Sequence, residues 1–245
     1  MPFGGFDSVE DNELFDVLAS IIKKRVPDFE IRFKNESWWQ RFIGKLAFFN
    51  KKYMTNYTST FGSTVWFPTR EFVEEKKMRA FKILAHEYVH VLDDDEHSIL
   101  FQIGYAAPQL LGMLSFLSLL AIPFSLWWLL ALVAVVFFSP IPAFFRAEFE
   151  KRGYSMNIAI NIWRHGSVHK DTRAWLEEIF SGWEYYRMWP FKDDVRQWID
   201  ATEKEVYAID SVEADKTILG LSVAFRDVYQ LVTGIDMEQE DFDDS

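Results

Sequence analysis

Cysteine is absent from this chain of 245 residues. Disulfides and thiolate metal sites are thereby excluded, and any metal must be held by histidine and carboxylate. Such usage fits a reducing compartment without requiring one. Basic residues are few: 26 Lys and Arg against 37 Asp and Glu give a formal net charge of −11. A phosphate-neutralising footprint needs a basic face, so a nucleic-acid partner is not expected. The N-terminus, MPFGGFDSVEDNELFDVL, has no basic segment leading into an apolar run, and no signal peptide is expected from it.

Charge is missing altogether from Ser98 to Phe145, which contains no Asp, Glu, Lys or Arg. A membrane-spanning helix needs ~20 mostly apolar residues. The stretch supplies two short legs, residues 99–121 and 124–138, with Pro123 at the bend between them. An inserted helical hairpin at a membrane is the expected arrangement, and a greasy pair buried against a hydrophobic partner is the alternative. A hairpin leaves both polar parts of the chain on one side, expected to be the cytoplasmic side of the membrane. Residues 1–97, 98–145, 146–235 and the acidic tail 236–245 are the units this division predicts.

What is present elsewhere reads as α+β. Leu14, Phe15, Leu18, Ile21 and Ile22 recur at helical spacing behind Ser8, a candidate N-cap. DFEIRF alternates as a strand should, with Phe29, Ile31 and Phe33 on one side. SWWQRFIGKLAFF predicts a second helix, although Gly44 weakens it. The Thr-, Tyr-, Val- and Trp-rich runs on either side of Phe61-Gly62 predict a β-hairpin closed by Pro68. One long helix is expected from Thr69, its N-cap, through Leu92, with the triple aspartate 93–95 at its end. The sheet is expected to be small and antiparallel. Four polar helical segments follow residue 145, and no internal repeat is visible.

The chemistry lies in FKILAHEYVHVLDDDEH. His86 and His90 are four residues apart, so both imidazoles leave one face of a helix about a turn apart. That spacing suits two ligands of a tetrahedral Zn²⁺, while Glu87 is turned aside and placed to act as general base toward a water in the fourth position. Zn²⁺ is therefore the expected cofactor. A third ligand in the pattern H-E-x-x-H-x-x-G-x-x-H would need Gly at 93 and His at 96; the chain has Asp93 and Glu96, and His97 is one residue out of register. The other common solution is a glutamate on a later helix. The first acidic cluster beyond the apolar segment is RAEFEKRGY, which offers Glu148 and Glu150.

This order of features resembles the gluzincin metallopeptidases: HEYVH after an edge-strand hairpin, then an apolar hairpin, then a glutamate on a helix. Within them it looks most like the membrane-associated HtpX-type peptidases and their compact soluble relatives, the minigluzincins. The resemblance covers about residues 29–157. In that group a small residue typically stands three places after the glutamate ligand, letting its helix approach the zinc helix. Glu150 has Gly153 there and Glu148 has Lys151, so the resemblance implies Glu150 as third ligand. The HtpX-type pattern also carries Asp four residues after the glutamate, where this chain has Tyr154. It further implies a zinc endopeptidase that takes a peptide or protein substrate as an added strand at the sheet edge. STVWFP, with Thr64, Val65 and Trp66, is the expected edge. The competing reading is a structural or membrane-inserting component of a larger assembly, such as a phage's, that retains a peptidase fold.

Weaker candidates have ordinary explanations beside them. His165 and His169 straddle Gly166 and are expected on a surface loop. Tyr185 and Tyr186 are candidate oxyanion donors, although packing is the simpler role for the aromatics of SGWEYYRMWPF. Trp38 and Trp39 read either as interfacial anchors or as core.

Overall fold

A computed structural model describes residues 12–46, 53–106, 115, 123–125, 127–131, 133, 142–183, 187–209 and 222–235. Among them the chain is mostly helical with a small three-stranded sheet, an α+β arrangement. Ser8, the acidic tail, Tyr185, Tyr186 and most of the apolar segment lie outside the described residues.

Helix α1 (Leu14–Arg25) buries Leu14, Phe15, Leu18 and Ile22, the stripe its spacing predicts. Strand β1 (Glu30–Phe33) follows and ends in a 3-10 turn, Lys34–Glu36. Helix α2 (Trp38–Leu46) starts at Ser37, whose Oγ accepts from the Gln40 amide at 3.3 Å. Strands β2 (Ser59–Phe61) and β3 (Thr64–Phe67) form the expected hairpin, turning at Gly62 with φ +58°.

The sheet is mixed rather than antiparallel. β1 runs parallel to β3, pairing Glu30 with Thr64 and Phe33 with Phe67, and the strand order is β1-β3-β2. β3 is therefore central, and the expectation that Thr64, Val65 and Trp66 form an open edge is not met. Both of its hydrogen-bonding sides are taken, with Val65 and Phe67 fully buried. The terminal strand that reaches the histidine-bearing helix is β2, through Thr60.

The predicted long helix is two. Thr69 caps α3 (Arg70–Glu75), its Oγ1 accepting from the Phe72 amide at 3.1 Å. The backbone leaves helical geometry at Lys76 (φ −129°, ψ 47°), and α4 (Lys77–Ala106) begins. The aspartate run does not end α4. Asp93 lies three residues after His90 and seven after His86, so it shares their buried face, and the helix continues past residue 97 into the apolar stretch. Among the described residues no helix is long and apolar enough to cross a membrane.

The remaining described helices are α5 (Phe144–His165), α6 (Lys170–Ser181), α7 (Lys192–Ile209) and α8 (Val223–Thr233). α5 lies along α4, and α7 and α8 pack on α5. Phe81, Leu84, Ile158 and Ile160 are fully buried in the core these helices share. At about 1.5–3 kcal/mol for each such side chain, this burial holds α4 and α5 in register. His165 and His169 are exposed: His165 closes α5, and His169 Nδ1 caps α6 by accepting from the Asp171 amide.

Candidate metal centre

Two helices position the chemistry. α4 carries His86, Glu87 and His90, and α5 carries Glu150 and Gly153. Their contact is close because Gly153 has no side chain. A Cβ at residue 153 would stand 2.6 Å from Cε1 and 2.7 Å from Nε2 of His86, nearer than such atoms approach. The imidazole of His86 occupies the space a side chain would need.

One donor atom each from His86, His90 and Glu150 lies within 4.8 Å of the others, and all three residues are buried. His86 Nε2 is 3.1 Å from His90 Nε2 and 3.5 Å from Glu150 Oε2. A tetrahedral zinc with bonds of ~2.0–2.2 Å separates its ligand atoms by roughly 3.3–3.6 Å, so the two separations from His86 lie near that range and the N,N,O donor set suits such an ion. Glu148 is outside this cluster; its Oε1 accepts from Lys151 at 2.7 Å on an exposed face. Between the two acidic candidates, the geometry brings Glu150 to the histidines.

The electrostatics are those of a buried anion among imidazoles. Burial opposes ionisation of Glu150. The hydrogen bond with His86 and the positive influence of His86, His90 and Arg146 outweigh it and bring its pKa down to about 2. His90 shows the same balance with the opposite sign of shift. Burial disfavours its charged form, but Asp93, Glu150 and Glu87 together raise its pKa.

Behind the donors stands a supporting layer. Asp93 Oδ2 lies 3.9 Å from His90 Nδ1, and Asp93 Oδ1 accepts from Arg152 at 2.8 Å. At that separation Asp93 acts on His90 as a neighbouring negative charge, not through a hydrogen bond between these two atoms. Asp93, from the helix of the histidines, lies on the Nδ1 side of His90. Tyr154 instead packs edge-on against His86, with ring centroids 4.5 Å apart, and continues into Trp175 and Phe180.

Glu87 is half-buried and points toward β2, where Thr60 Oγ1 donates to its Oε2 at 2.7 Å. Beyond Thr60 lies Lys34, fully buried, its Nζ donating to Tyr57 O at 2.9 Å and Ser59 Oγ at 2.8 Å and sitting 3.9 Å from the Tyr53 ring centroid. Burial lowers its pKa to about 7 against the upward pull of Glu87. Sequence reasoning missed Thr60, Lys34 and the Asp93–Arg152 pair. Asp93 could have been found, since its register on α4 is readable; nothing in the sequence signals Lys34.

Compared with protein-family models, curated proteins and solved structures, the chain matches none.

Proposed function

We propose that this protein is a zinc-dependent endopeptidase of gluzincin type, with His86, His90 and Glu150 as metal ligands and Glu87 as general base. The observation that carries the reading is the convergence of two Nε2 atoms from α4 and a carboxylate oxygen from α5, with Gly153 allowing the approach. A zinc ion held by these residues would polarise a peptide carbonyl and acidify a water molecule. Glu87, fixed through one oxygen by Thr60, accepts a proton from the attacking water. As the C–N bond breaks, Glu87 delivers that proton to the departing amine nitrogen. Tyr154 packs edge-on against His86, and Asp93 places a negative charge beside His90. An extended peptide laid against β2, the terminal strand beside Glu87, would bring its carbonyl to the cluster. The apolar segment 98–145 follows the histidines in sequence and precedes Glu150, and its role in this reading is to hold the catalytic domain at a membrane or hydrophobic partner.

The test is Glu87→Gln assayed on an unfolded protein substrate with zinc present. Metal content should be retained while hydrolysis falls on the order of 10²–10⁴-fold. Wild-type protein loaded with zinc that cleaves no peptide bond in any unfolded substrate would contradict the reading.

A further inference from the structure

Helix α2 is mounted with its polar side down. At about 100° per residue, Trp38, Phe42, Trp39 and Ile43 fall within an arc of about 140°, with Gln40 and Gly44 on the opposite side. The side that meets the rest of the protein is the one bearing Gln40 and Gly44. Gln40 is buried and its Oε1 accepts from Tyr53 Oη at 2.7 Å, while Gly44 lies against Met54. The aromatic side faces outward: Trp38, Trp39 and Phe42 are 72%, 51% and 46% exposed. These rings pack on one another, Trp38 edge-on to Trp39 at 5.7 Å and Trp39 stacked on Phe42 at 5.7 Å.

The sequence that contains this helix runs against the charge of the rest of the chain. No Asp or Glu occurs from Ser37 to Thr69, a stretch that holds Arg41, Lys45, Lys51 and Lys52, whereas the whole chain is −11. Arg41 and Lys45 are exposed and lie on α2 beside Trp38 and Phe42. Trp and Phe on one side with basic residues at the flank is the composition of a helix lying in the headgroup region of an anionic bilayer.

We propose that α2 is a lipid-binding element, docking through Trp38, Trp39 and Phe42 on an anionic membrane surface with Arg41 and Lys45 at the headgroups. The occupant is argued from charge. The basic flank on an otherwise acidic chain complements an anionic phospholipid surface, whose interface is also a preferred site for tryptophan rings. The seating has a consequence for the candidate centre. Gln40 holds Tyr53, the Tyr53 ring covers Lys34, Lys34 bonds Ser59, and the next residue, Thr60, bonds Glu87. This run of contacts links the inner side of α2 to Glu87. The proposal does not depend on the metal or on the apolar segment crossing a bilayer.

The absence of cysteine makes the test clean. Phe42→Cys carries a single environment-sensitive fluorophore on the full chain, titrated with phosphatidylcholine–phosphatidylserine vesicles and with phosphatidylcholine vesicles alone. The label should brighten and shift to the blue with the anionic vesicles, and added salt should weaken the response. In the labelled background, Trp38→Ser with Trp39→Ser, and separately Arg41→Glu with Lys45→Glu, should each weaken the half-saturation point by about tenfold or more. Circular dichroism of both variants checks the fold, and the charge reversal alters only exposed side chains. A silent label on protein that floats with vesicles would overturn the proposal, because binding would then run through another segment. So would an equal response to neutral vesicles, or brightening with protein concentration in the absence of lipid, which would assign the face to a second copy.

Discussion

Gly153 of α5 sits directly against His86 of α4, with 2.6 Å between the imidazole and the place where a Cβ would be. A glycine in the middle of a helix ordinarily costs about 0.5–1 kcal/mol relative to alanine. Here the absent methyl group is what allows Glu150 and His86 to come within 3.5 Å.

Gly153→Ala should therefore destabilise the protein by about 1–3 kcal/mol despite its better helix propensity. It should also weaken zinc binding by about 10–100-fold, since the ring or the whole helix must move. Thermal denaturation and a competitive zinc titration check the two effects. A more stable variant with unchanged affinity would show that the close approach is not needed.

Three helices meet at Asp227. Its carboxylate accepts from Tyr88 Oη at 2.7 Å and from Arg25 at 2.6 Å, linking α8 to α4 and α1. Burial of Tyr88 and its hydrogen bond to Asp227 push the phenol pKa far upward, so it stays a donor at every ordinary pH. Asp227→Ala strands a buried hydroxyl and should cost about 1.5–3 kcal/mol. Urea denaturation at neutral pH measures this, and Tyr88→Phe should cost less because no donor is left without an acceptor.

Lys34 makes a prediction about pH. Its amine, with a pKa of 10.5 in the unfolded chain, has one of about 7 in the folded protein, so folding releases a proton between those values. The burden of the buried ammonium is full below pH 7 and disappears as pH rises toward 10.5. Wild-type stability should accordingly gain on that of Lys34→Met across this window, by up to about 1.4 kcal/mol per pH unit. Parallel denaturation curves for the two proteins would contradict the assignment.

Thr60→Val keeps the shape of β2 but removes the hydrogen bond to Glu87. On the proposed reading, hydrolysis by the zinc-loaded protein should fall about tenfold in kcat, with zinc affinity unchanged, because Glu87 loses its orientation. Steady-state kinetics beside a zinc titration separate this from a general loss of structure.

The histidine pair was legible because a four-residue spacing on a helix has one geometric meaning, whereas Gly153 was singled out only through the resemblance to gluzincins. The hairpin β2–β3 was readable from local composition. What local patterns do not carry is which distant strand pairs with which. β1 joins β3 in parallel from more than thirty positions away, and that displaces β3 from the edge the sequence suggested. The run Asp93–Asp95 looked like a helix end because aspartate is a poor former of helix interiors. It continues because Asp93 is buried and paired with Arg152, a contact made only when α5 packs on α4.

The central claim is that His86, His90 and Glu150 together hold one zinc ion. It is tested most directly by elemental analysis of protein purified without chelators, wild type beside His86→Ala, Glu150→Gln and Glu148→Gln. One zinc per chain in wild type and Glu148→Gln, with its loss from the other two while their folds persist, is the predicted result. A wild type that carries no stoichiometric metal and takes up none on titration, or a Glu150→Gln that binds zinc as tightly as wild type, would contradict it.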